Sequence, residues 1–191
     1  FYKNKLPDKI SDINNNLIIK KKINKNNKNR KHILLLLQNY LQYFIEMTKE
    51  EYEDYINNII LKIREKSSKK IIIRYKPNAK NDYKINFIDP LNNYEISKLN
   101  LIQDCDRCYK CIAHSTNAVS FCIFKGLDII CLSEHNIAYN FSENNFDNVD
   151  KFINHDYTKL KKNILSCAYN VEDLSSKRFR ILINSILKNI I

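Results

Sequence analysis

Apolar residues fall along this chain in distinct rhythms, and each rhythm predicts a different element. From His32 to Glu46 they are nearly continuous (Ile33 to Leu37, then Tyr40, Leu41, Tyr43, Phe44 and Ile45), which predicts a largely buried helix. Thr48 followed by Glu51 has the spacing of a capping box. Beyond it Tyr52, Tyr55, Ile56, Ile59, Ile60 and Ile63 recur in steps of three and four, which predicts an amphipathic helix ending near Lys66. The period then shortens. Ile71–Tyr75, Tyr83–Ile88 and Asn93–Leu101 predict strands, with Pro77-Asn78, Asn81-Asp82 and Asp89-Pro90 as turns. Ala118–Phe124 and Leu127–Leu132 read as two more strands around Lys125-Gly126. Residues 141–150 read as an acidic loop and Asp150–Lys162 as a helix. A last helix is predicted over Lys177–Ile191, where Phe179, Leu182, Ile183, Ile186, Leu187 and Ile190 share a face.

These elements predict an α+β fold with helices packed on a mostly antiparallel sheet. Residues 1–31 read as a polar, basic lead-in, and 32–191 as a single domain. At 191 residues the chain suits one domain with its own core, and its 44% hydrophobic content excludes wholesale disorder. No apolar run is long enough to span a bilayer. With one glycine and three prolines, the chain has neither a Walker A loop nor a G-x-G-x-x-G turn, which excludes the common glycine-rich phosphate cradles.

The net charge is +11, and the first 31 residues hold ten basic and two acidic groups. That favours polyanionic partners such as RNA, an acidic protein or a phosphate-rich cofactor. The Lys-, Asn- and Ile-rich texture also reads as the product of an AT-biased genome, which weakens that inference. The chain begins at Phe1, so a targeting segment is not readable from it. Cys122 and Cys131 sit inside apolar runs, as reduced thiols do, which favours an intracellular compartment, cytoplasm or organelle. The spacing Cys105-x-x-Cys108-x-x-Cys111-x-x-His114 has zinc-ligand residue types, but all four crowd into ten residues, and ordinary reduced cysteines remain the alternative.

Gly126 is the only glycine, and it opens Gly126-Leu127-Asp128-Ile129. A unique glycine points to a backbone position that needs positive φ or close approach. Upstream stands His114-Ser115, and downstream Lys151-Phe152 through Asp156-Tyr157, then Asn184-Ser185-Ile186-Leu187-Lys188. In this order the set resembles the Sfp-type 4′-phosphopantetheinyl transferases, with their S-H-S block, G-[IV]-D-x-E strand, R-F-F-x-x-x-E helix and W-x-x-K-E-[AS] helix. Arg30 and Lys31, before the Leu-rich segment, resemble the basic residues of the family's first half.

The resemblance implies two similar halves, 32–112 and 113–191. It implies transfer of 4′-phosphopantetheine from coenzyme A to a serine of an acidic acyl or peptidyl carrier protein. Asp128 would ligate Mg²⁺, Lys188 would face the pyrophosphate, and His114, Ser115, Arg30 and Lys31 would contact coenzyme phosphates. The chain departs from the family at Ala113, at Ile130 and at Asn184 or Asn189, where the pattern has a serine, a second metal acid and the catalytic glutamate. A degenerate or truncated transferase is therefore one reading, and a basic, non-enzymatic RNA-associated component the other. For RNA, Tyr75 and Tyr83 would be the stacking residues.

Overall fold

A computed structural model of the chain describes residues 30–38, 47–76 and 84–167. The predicted C-terminal helix, Lys188, Tyr83, Asn184 and Asn189, and residues 39–46 of the predicted first helix, lie outside the described residues.

The order of elements is β1 (His32–Leu36), α1 (Lys49–Arg64), β2 (Ile71–Arg74), β3 (Tyr94–Ile96), α2 (Leu101–Arg107), β4 (Cys108–Ala113), α3 (Ala118–Phe124), β5 (Asp128–Cys131), a 3₁₀ turn (Tyr139–Phe141) and α4 (Thr158–Cys167). The strands form one sheet in the order β3-β2-β1-β4-β5, and every pair is parallel. The expected antiparallel α+β fold is thereby corrected to an α/β fold. A parallel sheet is covered by helices on both faces, so its inner strands become apolar throughout rather than alternating. Ile33–Leu36, Ile71–Ile73 and Ile129–Cys131 are all buried for that reason.

The two faces are distinct. Ile33, Leu35, Ile71, Ile73, Ile112 and Ile130 pack with Tyr52, Ile56, Ile59, Ile60 and Ile63 of α1. Each side chain of that helical stripe is worth roughly 1.5–3 kcal/mol in burial. On the other face Leu34, Leu36, Ile72, Cys111, Ile129 and Cys131 pack with Cys105 of α2, Val119, Cys122 and Ile123 of α3, and Leu160 of α4.

Several local expectations change accordingly. Ile33–Leu36 lies in the central strand, not in a helix. Ala118–Phe124 is a helix, not a strand. Its buried residues Val119, Cys122 and Ile123 keep a helical step, and Gly126 ends it. Gly126 stands at φ 76°, its N–H donates to Ile123 O, and Leu127 N–H donates to Cys122 O, which together make a Schellman cap. Residues 84–88 form no strand, because their backbone pairs with a side chain: Asn57 donates to Asn86 O at 3.1 Å and accepts from Ile88 N–H at 2.9 Å. The predicted helix from Asp150 begins only at Thr158. The capping box at Thr48 and Glu51 is present with both reciprocal bonds, and Asn100 with Gln103 caps α2 in the same way.

Buried ion pairs tie the loops to this frame. Arg64 grips both oxygens of Asp89 at 2.7 and 2.8 Å and reaches the carbonyl of Asn93. Asp89 in turn accepts from Leu91 N–H and Asn93 N–H, so the loop before β3 is held to the end of α1. The Arg64 guanidinium holds the Asp89 carboxyl below its ordinary range. Arg74, at the end of β2, pairs with fully buried Asp104 at 2.9 Å, and Ser97 donates to the same carboxylate. Among the described residues no helix is long and apolar enough to cross a membrane.

Candidate functional site

Strand order fixes where polar side chains gather. The chain runs β1 to β2 to β3 outward on one side, then returns to place β4 on the other side of β1. The helices that follow β1 and β4, α1 and α3, pack on opposite faces of the sheet, and the carboxyl edge at such a strand-order reversal is where parallel α/β sheets bind ligands. Gln38 follows β1 there, and His114-Ser115-Thr116 follows β4.

The crevice is organised by reciprocal bonds. Gln38 Nε2 donates to Ser115 Oγ at 2.6 Å, and Ser115 N–H donates back to Gln38 Oε1 at 3.1 Å. Gln38 N–H donates to the Tyr52 hydroxyl at 2.9 Å, which ties this end of β1 to α1. One turn along the helix, the Tyr55 hydroxyl lies 2.8 Å from His114 Nδ1, with the two rings edge to face. The loop after β5 joins from the side. Asn136 Nδ2 donates to Thr116 O at 3.2 Å, and His135 N–H donates to Ser133 Oγ. Burial holds the His114 imidazole below its ordinary pKa, and the nearby His135 adds to the effect. Burial, with smaller contributions from Tyr52 and Cys131, pushes the Tyr55 phenol up.

The sequence-derived candidates divide between the two ends of the sheet. His114 and Ser115 are at the carboxyl edge. Asp128 is opposite Lys110 in the β4–β5 register, four residues upstream of His114. At about 3.3 Å per residue that is roughly 13 Å along the strand. Asp128 is only 1% exposed, and its carboxylate is occupied. Oδ2 accepts from Ile153 N–H and Asn154 N–H, and Oδ1 accepts from His155 N–H at 3.3 Å. Arg30 shares that amino edge, where its guanidinium donates to Lys125 O at 2.8 Å and Gly126 O at 3.2 Å and so closes the end of α3. Lys31 sits beside it, exposed, with its backbone N–H on Arg107 O. The structure thus brings Arg30 near Gly126 but does not bring Asp128, Arg30 or Lys31 to His114.

A divalent ion at Asp128 does not fit this geometry. Three backbone N–H donors already aim at the carboxylate, and no group of three or more metal-type ligands occurs among the described residues. The Cys105/Cys108/Cys111/His114 spacing does not converge either. The cysteines pack on the α3 face, whereas His114 turns to Tyr55 of α1 on the opposite face. Cys105, Cys108, Cys111, Cys122 and Cys131 are free and buried. Burial pushes the thiols of Cys108, Cys111 and Cys131 up, and the 3.7 Å contact with Cys122 together with burial does the same to Cys105. Tyr75, proposed above for stacking on bases, packs against Phe87, and its hydroxyl accepts from Ile85 N–H.

Gln38, Tyr55, Ser133, His135 and Asn136 escape the sequence reading, because their nearness follows from the parallel strand order. The one local signal was the polar stretch Ser133–Asn136 directly after an apolar strand. The chain matches no family model, no curated protein and no solved structure.

Proposed function

We propose that this chain binds a phosphate-bearing small molecule, of the nucleotide or coenzyme A class, in the crevice at the carboxyl ends of β1 and β4, as the donor site of a group transfer. The observation that carries this reading is the Gln38–Ser115 clip with His114 beside it at the strand-order reversal. The absence of glycine-rich loops argues that phosphate oxygens are met by side-chain donors, His114 and Ser115, rather than by a backbone cradle. The +11 charge favours an anionic ligand and an acidic partner protein.

Phosphopantetheine transfer from coenzyme A to a carrier-protein serine is the specific form of this proposal. It retains His114 and Ser115 as phosphate contacts and assigns no metal to Asp128. RNA association finds less support, since Tyr75 is committed to its own loop.

The test is titration calorimetry of the chain with ADP and with coenzyme A, followed by incubation with coenzyme A and apo carrier protein and intact-mass measurement. Binding that weakens roughly 10-fold or more in His114→Ala and Ser115→Ala is expected from loss of hydrogen bonds to a charged group. Equal affinity in wild type and both variants, or none for either ligand, overturns the reading. A mass increment on the carrier selects the transferase form.

A further inference from the structure

We propose that Tyr55 is a positioning residue that donates its hydroxyl proton to His114 Nδ1, fixing the imidazole as the Nε2–H tautomer so that it presents a hydrogen-bond donor, not a base, to a phosphoryl oxygen. This rests on reading the carboxyl edge as a ligand site. The assignment of the proton comes from counting donors and acceptors. A phenol has one proton to give, and the only acceptor at hydrogen-bond distance from the Tyr55 hydroxyl among the described residues is His114 Nδ1, at 2.8 Å. Were Nδ1 protonated instead, the phenolic proton would have no partner there. Burial raises the Tyr55 phenol and lowers the His114 imidazole, and both changes favour the same proton position.

The other ring nitrogen is open to a ligand. His155 Nδ1 is the only buried side-chain nitrogen or oxygen found without a hydrogen-bond partner among the described residues. His114 Nε2 has no hydrogen-bond partner among them either, and the His114 side chain is only partly buried. The edge-to-face contact between the rings restrains the imidazole plane, and α1, carrying Tyr55, is anchored by Tyr52, Ile56 and Ile60 in the core. A neutral donor of this kind sits beside a phosphoryl or carbonyl oxygen without the desolvation cost of an imidazolium. It leaves any base for the acceptor nucleophile to be sought elsewhere.

The experiment is two-bond ¹H–¹⁵N correlation NMR on histidine-labelled full chain at pH 7.5, in wild type and Tyr55→Phe, with ADP titrated into both and into His114→Gln and His114→Asn. The expected wild-type spectrum has a protonated Nε2 and an unprotonated Nδ1 for His114. Tyr55→Phe, with its backbone amide spectrum otherwise preserved, moves His114 toward a tautomer mixture and weakens ADP roughly 5-fold. His114→Gln, whose amide nitrogen takes the place of Nε2, keeps more affinity than His114→Asn, whose amide takes the place of Nδ1. A protonated Nδ1 in wild type, or a His114 spectrum unchanged by Tyr55→Phe, overturns the inference. The predicted tautomer with no ADP binding sinks the phosphate-donor role of His114 toward ADP while the Tyr55 proton assignment stands, and loss of coenzyme A binding as well sinks the proposed ligand site.

Discussion

His155 meets Asp128 twice. Its backbone N–H donates to Oδ1 at 3.3 Å, and its ring Nδ1 stands 3.6 Å from the same oxygen. With Ile153 N–H and Asn154 N–H on Oδ2, the carboxylate fixes three successive peptide groups of the segment leading to α4. Asn154 adopts φ 59°, the left-handed turn that aims these N–H groups at one point. Asp128 is in this sense a nucleation point for backbone, placed at the first position of an edge strand.

Asp128→Ala should therefore destabilise the fold by about 3 kcal/mol or more, since it leaves three donors without their acceptor. Asp128→Asn should cost less. Urea unfolding measures both, and hydrogen exchange should speed up first at 153–155. Ligand affinity at the carboxyl edge should be unchanged in the folded fraction of either variant.

Lys110 is fully buried, with Nζ 2.9 Å from Glu143 Oε2 and 2.7 Å from Asn148 O. Removing only the acid strands an ammonium in the core, whereas replacing the lysine by an apolar residue of similar length strands a carboxylate that is partly exposed. Glu143→Ala should cost about 3–5 kcal/mol, and Lys110→Met clearly less. The reverse order in chemical denaturation would show that the pair is not what holds residues 143–149 against the sheet.

Gly126→Ala places a Cβ at φ 76° in the Schellman cap. The cost is about 1–2 kcal/mol, or a fall of roughly 2–8 °C in Tm for a chain of this size. A thermal melt unchanged within error would contradict the assigned cap.

Stability should fall in two stages on acidification. Burial lowers the pKa of His114 and of His32, where Arg107 and Lys70 add to the effect. Each is then more readily protonated in the unfolded chain, so stability falls as pH drops below the ordinary value of 6.5 and levels off below the folded pKa. Asp89 is lowered by Arg64, and Glu95 by Arg107. Their contributions are complete above the ordinary values of 3.8 and 4.5 and are lost as pH falls through the folded ones. Urea midpoints between pH 8 and 3 check this. His114→Gln should flatten part of the first stage, and Arg64→Met should flatten part of the second while lowering stability at pH 7 by about 3–5 kcal/mol.

The parts of the fold legible in the sequence were those governed by local rules. The stripe from Tyr52 to Ile63 and the Thr48–Glu51 cap are set within one helix, and both are present. Gly126 was legible as a positive-φ position because nothing else in the chain is glycine. What failed were the continuous apolar runs. Ile33–Leu37 is equally apolar as a buried helix or as a strand covered on both faces, so periodicity does not choose between them. Ala118–Phe124 looked β-like from its composition, although Val119, Cys122 and Ile123 already stood in helical step. The antiparallel reading then followed from treating nearby strands as hairpins, whereas the pairs β1–β2, β2–β3 and β4–β5 are parallel and β1 pairs also with the distant β4. His114 was set beside Asp128 by the family resemblance alone, and its nearness to Tyr55 and Gln38 follows only from the parallel strand order.

The central strand is also the earliest to be made of the described strands. Ile33–Leu36 has both neighbours downstream, β2 at Ile71–Arg74 and β4 at Cys108–Ala113. At about 5–20 residues per second of translation, the second neighbour follows roughly 4–15 seconds later. During that interval α1 and β2 can cover one face and one edge of β1, but the edge that β4 takes stays without its partner. Nascent-chain handling by holding factors should then bear on how much of this protein reaches its folded form in a cell.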